Sequence, residues 1–207
     1  MGRIDFAPRR LLDVGCGSGN IYQTLAEPPE RFVGLDFAPG MCALHPKGQG
    51  VFIAEMDFND TGALASLGQH GPFDLVVSSC ALQWAADLPK TLRALGRLGD
   101  RFALAILTDQ TLAQLHQRSG LSSPLLPQSG IEEAIKSTLG LEVELRSYEI
   151  DFESPAALLG YVRQSGITGG SHRGLGYSQV RALMQDRSLT TLTFEAVMAW
   201  GARSSIR

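Results

Sequence analysis

Residues 11–19 read LLDVGCGSG, and this stretch decides the fold. A short apolar strand runs directly into three glycines, Gly15, Gly17 and Gly19. Because glycine has no Cβ, the backbone of such a turn can pass close beside a ligand. A helix that follows the turn offers N–H groups without intrahelical partners. The pattern therefore predicts a strand–turn–helix unit that binds a cofactor or a nucleotide.

The spacing of the glycines argues against two common kinds of nucleotide site. A dinucleotide fingerprint has the form G-x-G-x-x-G, and here Asn20 stands at its sixth position. The turn also lacks the G-K-[ST] ending of a phosphate-binding P-loop. A nicotinamide-dependent oxidoreductase is therefore kept only as a third hypothesis.

Outward from the glycine turn, short apolar runs alternate with helical candidates. Strands are predicted at residues 10–14, 31–35, 51–54, 73–78 and 101–107. The clearest helix is predicted at residues 88–98, where leucines recur at spacings of four and three. Five such strand–helix units predict an α/β fold with a doubly wound, mostly parallel sheet.

The last third of the chain has a different character. We expect a loop or lid at residues 119–130, an edge strand at 142–152, a helix at 154–164, a glycine-rich flexible loop at 166–176 and a final strand at 192–200. Residues 153–190 would then be an inserted helical segment before the last strand. The expected organisation is a single domain over 1–207, with a cofactor-binding half at 10–107 and a substrate-side half at 108–207.

Three acids stand where a cofactor would need them. Asp36 ends the second strand, and an acid there can accept hydrogen bonds from both hydroxyls of a ribose. Asp57, beside the aromatic Phe58, suits the amino group and ring of an adenine. Asp13 is a buried-acid candidate that could brace the glycine turn or meet an ammonium group. For Asp36 and Asp57, helix capping is the alternative.

Composition excludes several classes of protein. The chain has 207 residues, 44% hydrophobic and 19% charged, with a net charge of −3, which argues against nucleic acid as a partner. No apolar run reaches the length of a membrane span, and the first residues do not read as a secretory signal. Three dispersed cysteines without a C-x-x-C pair predict no metal site and a cytoplasmic location. Cys16 and Cys80 are expected to be small buried residues.

Together, the DVGCGSG turn, Asp36, Asp57 and the FDLVVSS stretch at residues 73–79 resemble the class I S-adenosyl-L-methionine-dependent methyltransferases. The resemblance implies a Rossmann-like seven-stranded sheet of order 3-2-1-4-5-7-6, with strand seven antiparallel. It also implies S-adenosyl-L-methionine as cofactor and S-adenosyl-L-homocysteine as product. The implied cofactor-binding residues are Gly15 and Gly17 at the methionine part, Asp36 at the ribose, Phe37, Met41, Asp57 and Phe58 around adenine, and Ser79 near the sulfonium, together with Asp13 and Cys16 in the strand and the turn.

A narrower resemblance rests on four further stretches: SSCALQW from residue 78, TDQTLAQL from 108, DFESPAALLGYVRQSGI from 151 and LTFEAV from 192. They are similar to the malonyl-acyl-carrier-protein O-methyltransferases of biotin synthesis. This implies an acyl carrier protein or a small carboxylate as partner, and a substrate pocket that includes Gln83 and Trp84. Alternatively, Gln83 caps a turn and Trp84 packs in the core.

Two departures from that family stand out. Only residues 1–9 precede the first strand, whereas family members usually carry several tens of residues there, so we describe the N-terminus as shortened. The usual proline-glycine-glycine turn before the fifth strand is replaced by residues 98–101. A relative that binds the cofactor without catalysis is therefore the second hypothesis.

A carboxylate that receives a methyl group is already an anion at neutral pH, so it needs no general base, and no catalytic residue is assigned. A cation should hold the bound carboxylate or thioester. The candidates are Arg118, Arg146, Arg163 and Arg173. Because carrier proteins are generally acidic, a basic patch around Arg163, Arg173, Arg181 and Arg187 is expected near the pocket mouth. The same arginines could equally form a solvated face.

Overall fold

The structure is a computed structural model that describes residues 6–165 and 175–204. Arg173 and nearly all of the predicted glycine-rich loop at 166–176 lie outside the described residues. Short apolar runs do form strands, and longer amphipathic segments form helices between them.

One seven-stranded sheet organises the fold. Its strands are β1 (Arg10–Val14), β2 (Arg31–Asp36), β3 (Val51–Glu55), β4 (Leu75–Ser79), β5 (Arg101–Leu107), β6 (Val143–Asp151) and β7 (Thr191–Ala202). Their order is β3-β2-β1-β4-β5-β7-β6, as predicted. The first five strands are parallel, and Leu12 of β1 lies between Val33 of β2 and Val76 of β4. These parallel strands place their carboxyl ends, where ligands bind in such folds, along one edge.

The helices are α1 (Asn20–Thr24), α2 (Pro39–Leu44), α3 (Thr61–Ser66), α4 (Leu88–Leu95), α5 (Ala113–Ser119), α6 (Gln128–Leu139), α7 (Pro155–Ser165) and α8 (Tyr177–Gln185). The helix predicted at 88–98 ends three residues early, at Leu95, and Gly96 is its C-cap. The loop predicted at 119–130 is shorter, because α6 already begins at Gln128. The predicted inserted segment is confirmed, since α7 and α8 lie between β6 and β7.

The chain forms two compact units. Unit 1 comprises the described residues up to Ile106, Ser129–Glu144 and the described residues from Val197 onward. Unit 2 comprises Leu107–Gln128 and the described residues of Leu145–Ala196. The expected single domain with halves at 10–107 and 108–207 stays a prediction.

Each unit has its own apolar core. The core of unit 1 includes the fully buried Leu12, Val33 and Val76 of the sheet. The core of unit 2 includes Leu158 and Leu192, both fully buried. The predicted cofactor residues all belong to unit 1.

Candidate functional site

The glycine turn is fastened to the second strand. The N–H groups of Gly15 and Cys16 both donate to the carbonyl oxygen of Leu35, at 2.8 and 2.9 Å. Gly15 has a φ of +76°, and a Cβ added to it would lie 2.2 Å from the Cβ of Ala81. Glycine is therefore required at position 15 by both backbone conformation and packing.

Gly17 differs from Gly15 in its surroundings. Its φ is +52°, but a Cβ added there would meet nothing within 4 Å. No described residue fills the space in which a side chain at position 17 would lie. This open space beside the turn suits the close approach of a ligand.

Asp36 links the end of β2 to the glycine turn. Its Oδ2 accepts a hydrogen bond from the Gly17 N–H at 2.9 Å, and its Oδ1 accepts one from the Ala38 N–H at 2.9 Å. Each carboxylate oxygen has a second lone-pair site, so the half-buried group can accept further donors. The helix-capping alternative is wrong for Asp36, because Ala38 is the N-cap of α2 and no side chain caps that helix.

Asp13 is the most unusual group in unit 1. It is fully buried in β1, and neither carboxyl oxygen has a hydrogen-bond partner within the described ranges. Burial, with a smaller contribution from the charge of Asp36, raises the pKa of Asp13 to about 7. A buried carboxyl group without a partner is costly, because nothing in the described residues stabilises its charge.

Cys16 lies within the turn but is chemically quiet. Its side chain is 5% exposed, and a Cβ on Gly34 would come within 2.8 Å of its Sγ. Burial and the neighbouring acids Asp13 and Asp36 raise the pKa of the Cys16 thiol to about 12. The prediction that Cys16 is a small buried residue is confirmed.

The segment after β2 presents apolar side chains to solvent. Phe37 is 70% exposed and Met41 is 46% exposed. Both follow Asp36 within five residues, so they lie near the strand end where the resemblance implies an adenine. The predicted contact of Phe37 and Met41 with adenine stays a prediction.

Asp57 and Phe58 are arranged differently from each other. The Oδ1 of Asp57 accepts hydrogen bonds from the backbone N–H of Asn59 at 2.8 Å and from its Nδ2 at 3.0 Å. Asp57 does not cap α3, since Asp60 does. Phe58 is only 7% exposed and packs in the core of unit 1, so its ring contributes to stability rather than to an open surface.

Ser79 ends the fourth strand and Cys80 follows it, and the prediction that Cys80 is buried is wrong. Ser79 is exposed at the strand end, but Cys80, expected to be buried, is also exposed. Its φ is +55°, and its N–H donates to the carbonyl of Ala105 at 2.9 Å. This left-handed turn ends the strand and places Cys80 on the surface.

Gln83 and Trp84 follow in a short 3-10 turn. The Nε2 of Gln83 donates to the carbonyl oxygen of Cys80 at 2.7 Å, as expected of a turn cap, while its Oε1 is buried without a partner in the described part of the chain. Trp84 is partly buried and packs against the core of unit 1, which matches the core-packing alternative.

Sequence reasoning missed Asn59, which joins two of the segments predicted for the site. Besides its contacts with Asp57, its Oδ1 accepts from the Ala86 N–H at 2.8 Å and its Nδ2 donates to the Trp84 carbonyl at 3.4 Å. Asn59 therefore holds the turn after β3 to the turn that carries Gln83 and Trp84. Its position two residues after Asp57 is the only sequence signal for this role.

Two stretches of the narrower resemblance meet in unit 2. Thr108, just after β5, donates from its Oγ1 to the Oε1 of Glu195 in β7 at 2.6 Å. Thr111 donates from its hydroxyl to the Glu195 carbonyl oxygen at 2.9 Å. The TDQT and LTFEAV stretches are thus joined by a polar network in which Thr108 and Thr111 are buried and Glu195 is half-buried.

The candidate arginines for substrate binding differ in ion pairing and in exposure. Arg118 donates from Nε to the Oδ2 of Asp186 at 2.7 Å, so its charge is already neutralised within unit 2. Arg146 and Arg163 are exposed on β6 and α7, and Arg173 lies outside the described residues. Of the predicted patch, Arg181 and Arg187 are exposed too.

The described residues show neither a cluster of metal-ligating side chains nor a membrane-spanning helix. They contain no group of three or more His, Cys, Asp and Glu residues that could hold a metal ion. None of their helices is both long and apolar enough to cross a membrane.

Comparisons with known proteins place this geometry in a family. Residues 12–99 match the family described as "Methyltransferase domain". The chain is 31% identical to the malonyl-[acyl-carrier protein] O-methyltransferase of Chlorobium phaeovibrioides, over 77% of this chain and 64% of that protein. It is 30% identical to the protein of the same name from Magnetococcus marinus, over 85% of this chain and 70% of that one. The chain thus spans about two thirds of the length of these relatives.

Other matches are to different methyltransferases. The trans-aconitate 2-methyltransferase of Methylobacterium nodulans is 36% identical, over 43% of this chain and 35% of that protein. Among solved structures, the YcgJ protein of Bacillus subtilis superposes with a TM-score of 0.65, at 14% identity, over 97% of this chain and 94% of that one. That likeness supports the fold alone.

The fold and the glycine turn define a class I S-adenosyl-L-methionine-dependent methyltransferase, and the chain belongs to that class, in the group that resembles the malonyl-acyl-carrier-protein O-methyltransferases. The predicted family, fold class and enzyme type are thereby confirmed. The methyl acceptor and the individual site residues stay predictions.

Proposed function

We propose that the cofactor binds at the carboxyl ends of β1 and β2. The orphaned carboxyl group of Asp13 carries this proposal, because an ammonium group such as that of the methionine part would supply its missing partner. The open space at Gly17 gives the cofactor room beside the turn. The remaining acceptor sites of Asp36 suit two ribose hydroxyls, and Phe37 and Met41 offer apolar surface for adenine.

The acceptor in this proposal is a carboxylate, in the form of a malonyl-type acyl group on an acyl carrier protein. Two relatives are named for that substrate, and a third is named for trans-aconitate, which is also a carboxylic acid. A carboxylate is therefore the chemical class that these names share. Exposed arginines such as Arg163 are the candidates to hold the acceptor. A cytoplasmic location remains a prediction.

The chemistry requires little of the protein beyond placement. When bound, the cofactor supplies a sulfonium-activated methyl group. The acceptor carboxylate is anionic at neutral pH and needs no proton removed, so binding, orientation and exclusion of water are the tasks of the site. Asp36 would fix the ribose, and the fastened turn at Gly15 would keep the cofactor from shifting along β1.

Calorimetric titration with S-adenosyl-L-homocysteine tests the cofactor site. We expect micromolar binding by the wild type and a loss of about tenfold to a hundredfold in Asp36→Ala, since hydrogen bonds to a charged group contribute about 1.5–3 kcal/mol. Asp60→Ala is the matched control, because Asp60 only caps α3. Equal affinity in wild type and Asp36→Ala would contradict this site.

A second assay tests the acceptor. Purified protein is incubated with cofactor and malonylated acyl carrier protein, and the mass of the carrier is measured. A gain of one methyl group is expected. Cofactor binding without methyl transfer to malonyl carrier or to trans-aconitate would contradict the proposed acceptor class.

A further inference from the structure

The inserted helices lie in a stretch with an unusual charge pattern. Residues 154–185 contain no Asp or Glu, although the chain has 21 of them, and their charged residues are Arg163, Arg173 and Arg181. The segment therefore carries a formal charge of +3 within a chain of net charge −3. Such segregation creates a local positive potential that attracts acidic partners.

Helix α8 turns a mixed apolar and basic surface toward solvent. Tyr177, Arg181 and Met184 recur at spacings of four and three, so they form one stripe along the helix, which we call the α8 stripe. Tyr177 is 84% exposed, Met184 is 52% exposed and Arg181 is also exposed. Tyr, Arg and Met are three of the residue types enriched in protein–protein interfaces.

The helix that presents this stripe is anchored to its unit. Leu183 is 2% exposed and packs in the core of unit 2. The side chain of Gln179 donates to the Ser119 carbonyl at 2.7 Å and accepts from the Gly176 N–H at 2.9 Å. The α8 stripe is therefore held on a fixed helix, which lowers the entropy cost of binding a partner.

Asp186, the acid nearest to α8 in the sequence, already has partners within unit 2. Asp186, directly after the helix, is neutralised by Arg118 at 2.7 Å and accepts two hydrogen bonds from Ser188. Arg181, by contrast, has no ion-pair partner among the residues described. Its guanidinium is available to carboxylates from another molecule.

We propose that the α8 stripe is the docking surface for the acyl carrier protein, with Arg181 pairing with its carboxylates and Tyr177 and Met184 contacting its apolar side chains. This inference rests on the proposed function, because that function supplies the partner. Charge complementarity supports it, since carrier proteins are generally acidic and the segment is free of acids. An anionic membrane surface is the competing partner for a basic, apolar helix face.

The test compares Arg181→Glu with Arg93→Glu in the full chain. Arg93 is an exposed arginine on α4 of unit 1, so this control makes the same charge reversal on another helix. Binding of malonylated carrier protein is measured by calorimetry, and KM and kcat are measured for that carrier and for a small malonyl thioester. We expect Arg181→Glu to weaken carrier binding and raise its KM by about tenfold at low salt, with kcat unchanged.

The small thioester separates docking from chemistry. Arg181→Glu should leave its KM and kcat unchanged, and Arg93→Glu should change nothing. Tyr177→Ala, which leaves the positive charge of the α8 stripe unchanged, should also raise the KM for the carrier protein but not the KM for the small thioester. An unchanged circular dichroism spectrum and an unchanged unfolding midpoint in each variant show that unit 2, which contains α8, is folded.

Each other outcome overturns one of the two proposals. If the wild type binds carrier protein but methylates neither carrier nor thioester, the proposed function fails while the docking surface is still measured by binding. If the wild type methylates the carrier and Arg181→Glu does so with the same KM, the docking surface is wrong. Binding of wild type to phosphatidylglycerol vesicles, lost in Arg181→Glu with carrier affinity unchanged, would identify the stripe as a membrane contact instead.

Discussion

The backbone N–H of Gly17 and the carboxylate of Asp36 are joined by a 2.9 Å hydrogen bond across 19 residues of sequence. One acid thus shapes the glycine turn and stands at the end of the neighbouring strand. A change at Asp36 therefore alters the turn itself as well as any ribose contact, and the two effects need separate measurements.

Asp36→Asn should destabilise the protein by about 1–3 kcal/mol, because the amide group places a donor against one of two backbone N–H groups. Urea unfolding measures this difference. Asp60→Asn is the control, since asparagine is as good an N-cap as aspartate and should cost less than about 0.5 kcal/mol. Equal losses in the two variants would mean that the hydrogen bond to Gly17 adds no special stability.

Gly15→Ala and Gly17→Ala should have opposite profiles. Gly15→Ala should cost about 3 kcal/mol or more, because a left-handed backbone and an overlap with Ala81 add together. Gly17→Ala should cost only about 1 kcal/mol of stability, since it meets no neighbour.

The same pair discriminates between packing and ligand approach. Gly17→Ala should weaken the binding of S-adenosyl-L-homocysteine by about tenfold or more, because the alanine side chain would occupy the open space beside the turn. Thermal unfolding and calorimetry on both variants give the two readings. A folded Gly17→Ala protein with unchanged affinity would show that no ligand approaches at this position.

The contribution of Asp13 to stability should become less favourable as pH rises from about 4 to about 7. The pKa of Asp13 is about 7 in the folded protein and near 3.8 in the unfolded chain, so the unfolded chain releases its proton first and is favoured over that interval. The loss is on the order of 4 kcal/mol at most. Asp13→Asn should remove this component, which urea unfolding at several pH values will detect as a difference that grows to pH 7 and then levels off.

The pH dependence of cofactor binding is a second test of the protonation state of Asp13. If an ammonium group binds there, Asp13 must lose its proton, so S-adenosyl-L-homocysteine should bind about tenfold more weakly for each pH unit below 7. Calorimetry in two buffers of different ionisation enthalpy should show proton release for wild type and none for Asp13→Asn. Binding without proton release at pH 6 would assign Asp13 a structural role only.

Glu195→Ala should destabilise unit 2 by about 1–3 kcal/mol, because it leaves the hydroxyl of Thr108 without its acceptor. Glu195→Gln retains an acceptor oxygen and should lose less. Guanidinium unfolding of both variants measures the difference. Similar losses for Ala and Gln would mean that the charge of Glu195, rather than its acceptor oxygen, matters to Thr108.

The sequence predicted the sheet because its signals are local: apolar runs of strand length, a glycine turn and acids at strand ends. The long-range partners were not predictable. Nothing near Asp36 indicates that Gly17 would be its donor, and Asn59 acts through residues more than 20 positions away. Cys80 shows the same limit, since it directly follows β4 and its exposure depends on the path of the chain after the strand.

Because Cys16 packs against Gly34, the reactivity of its thiol can report on movements of the glycine turn. Because the thiol of Cys16 is buried and protonated, we expect it to react with alkylating reagents only when the glycine turn moves away from β2. The alkylation rate of Cys16 therefore measures how often the turn opens. A ligand that stabilises the closed turn should slow the alkylation of Cys16, even if the ligand does not contact the sulfur atom.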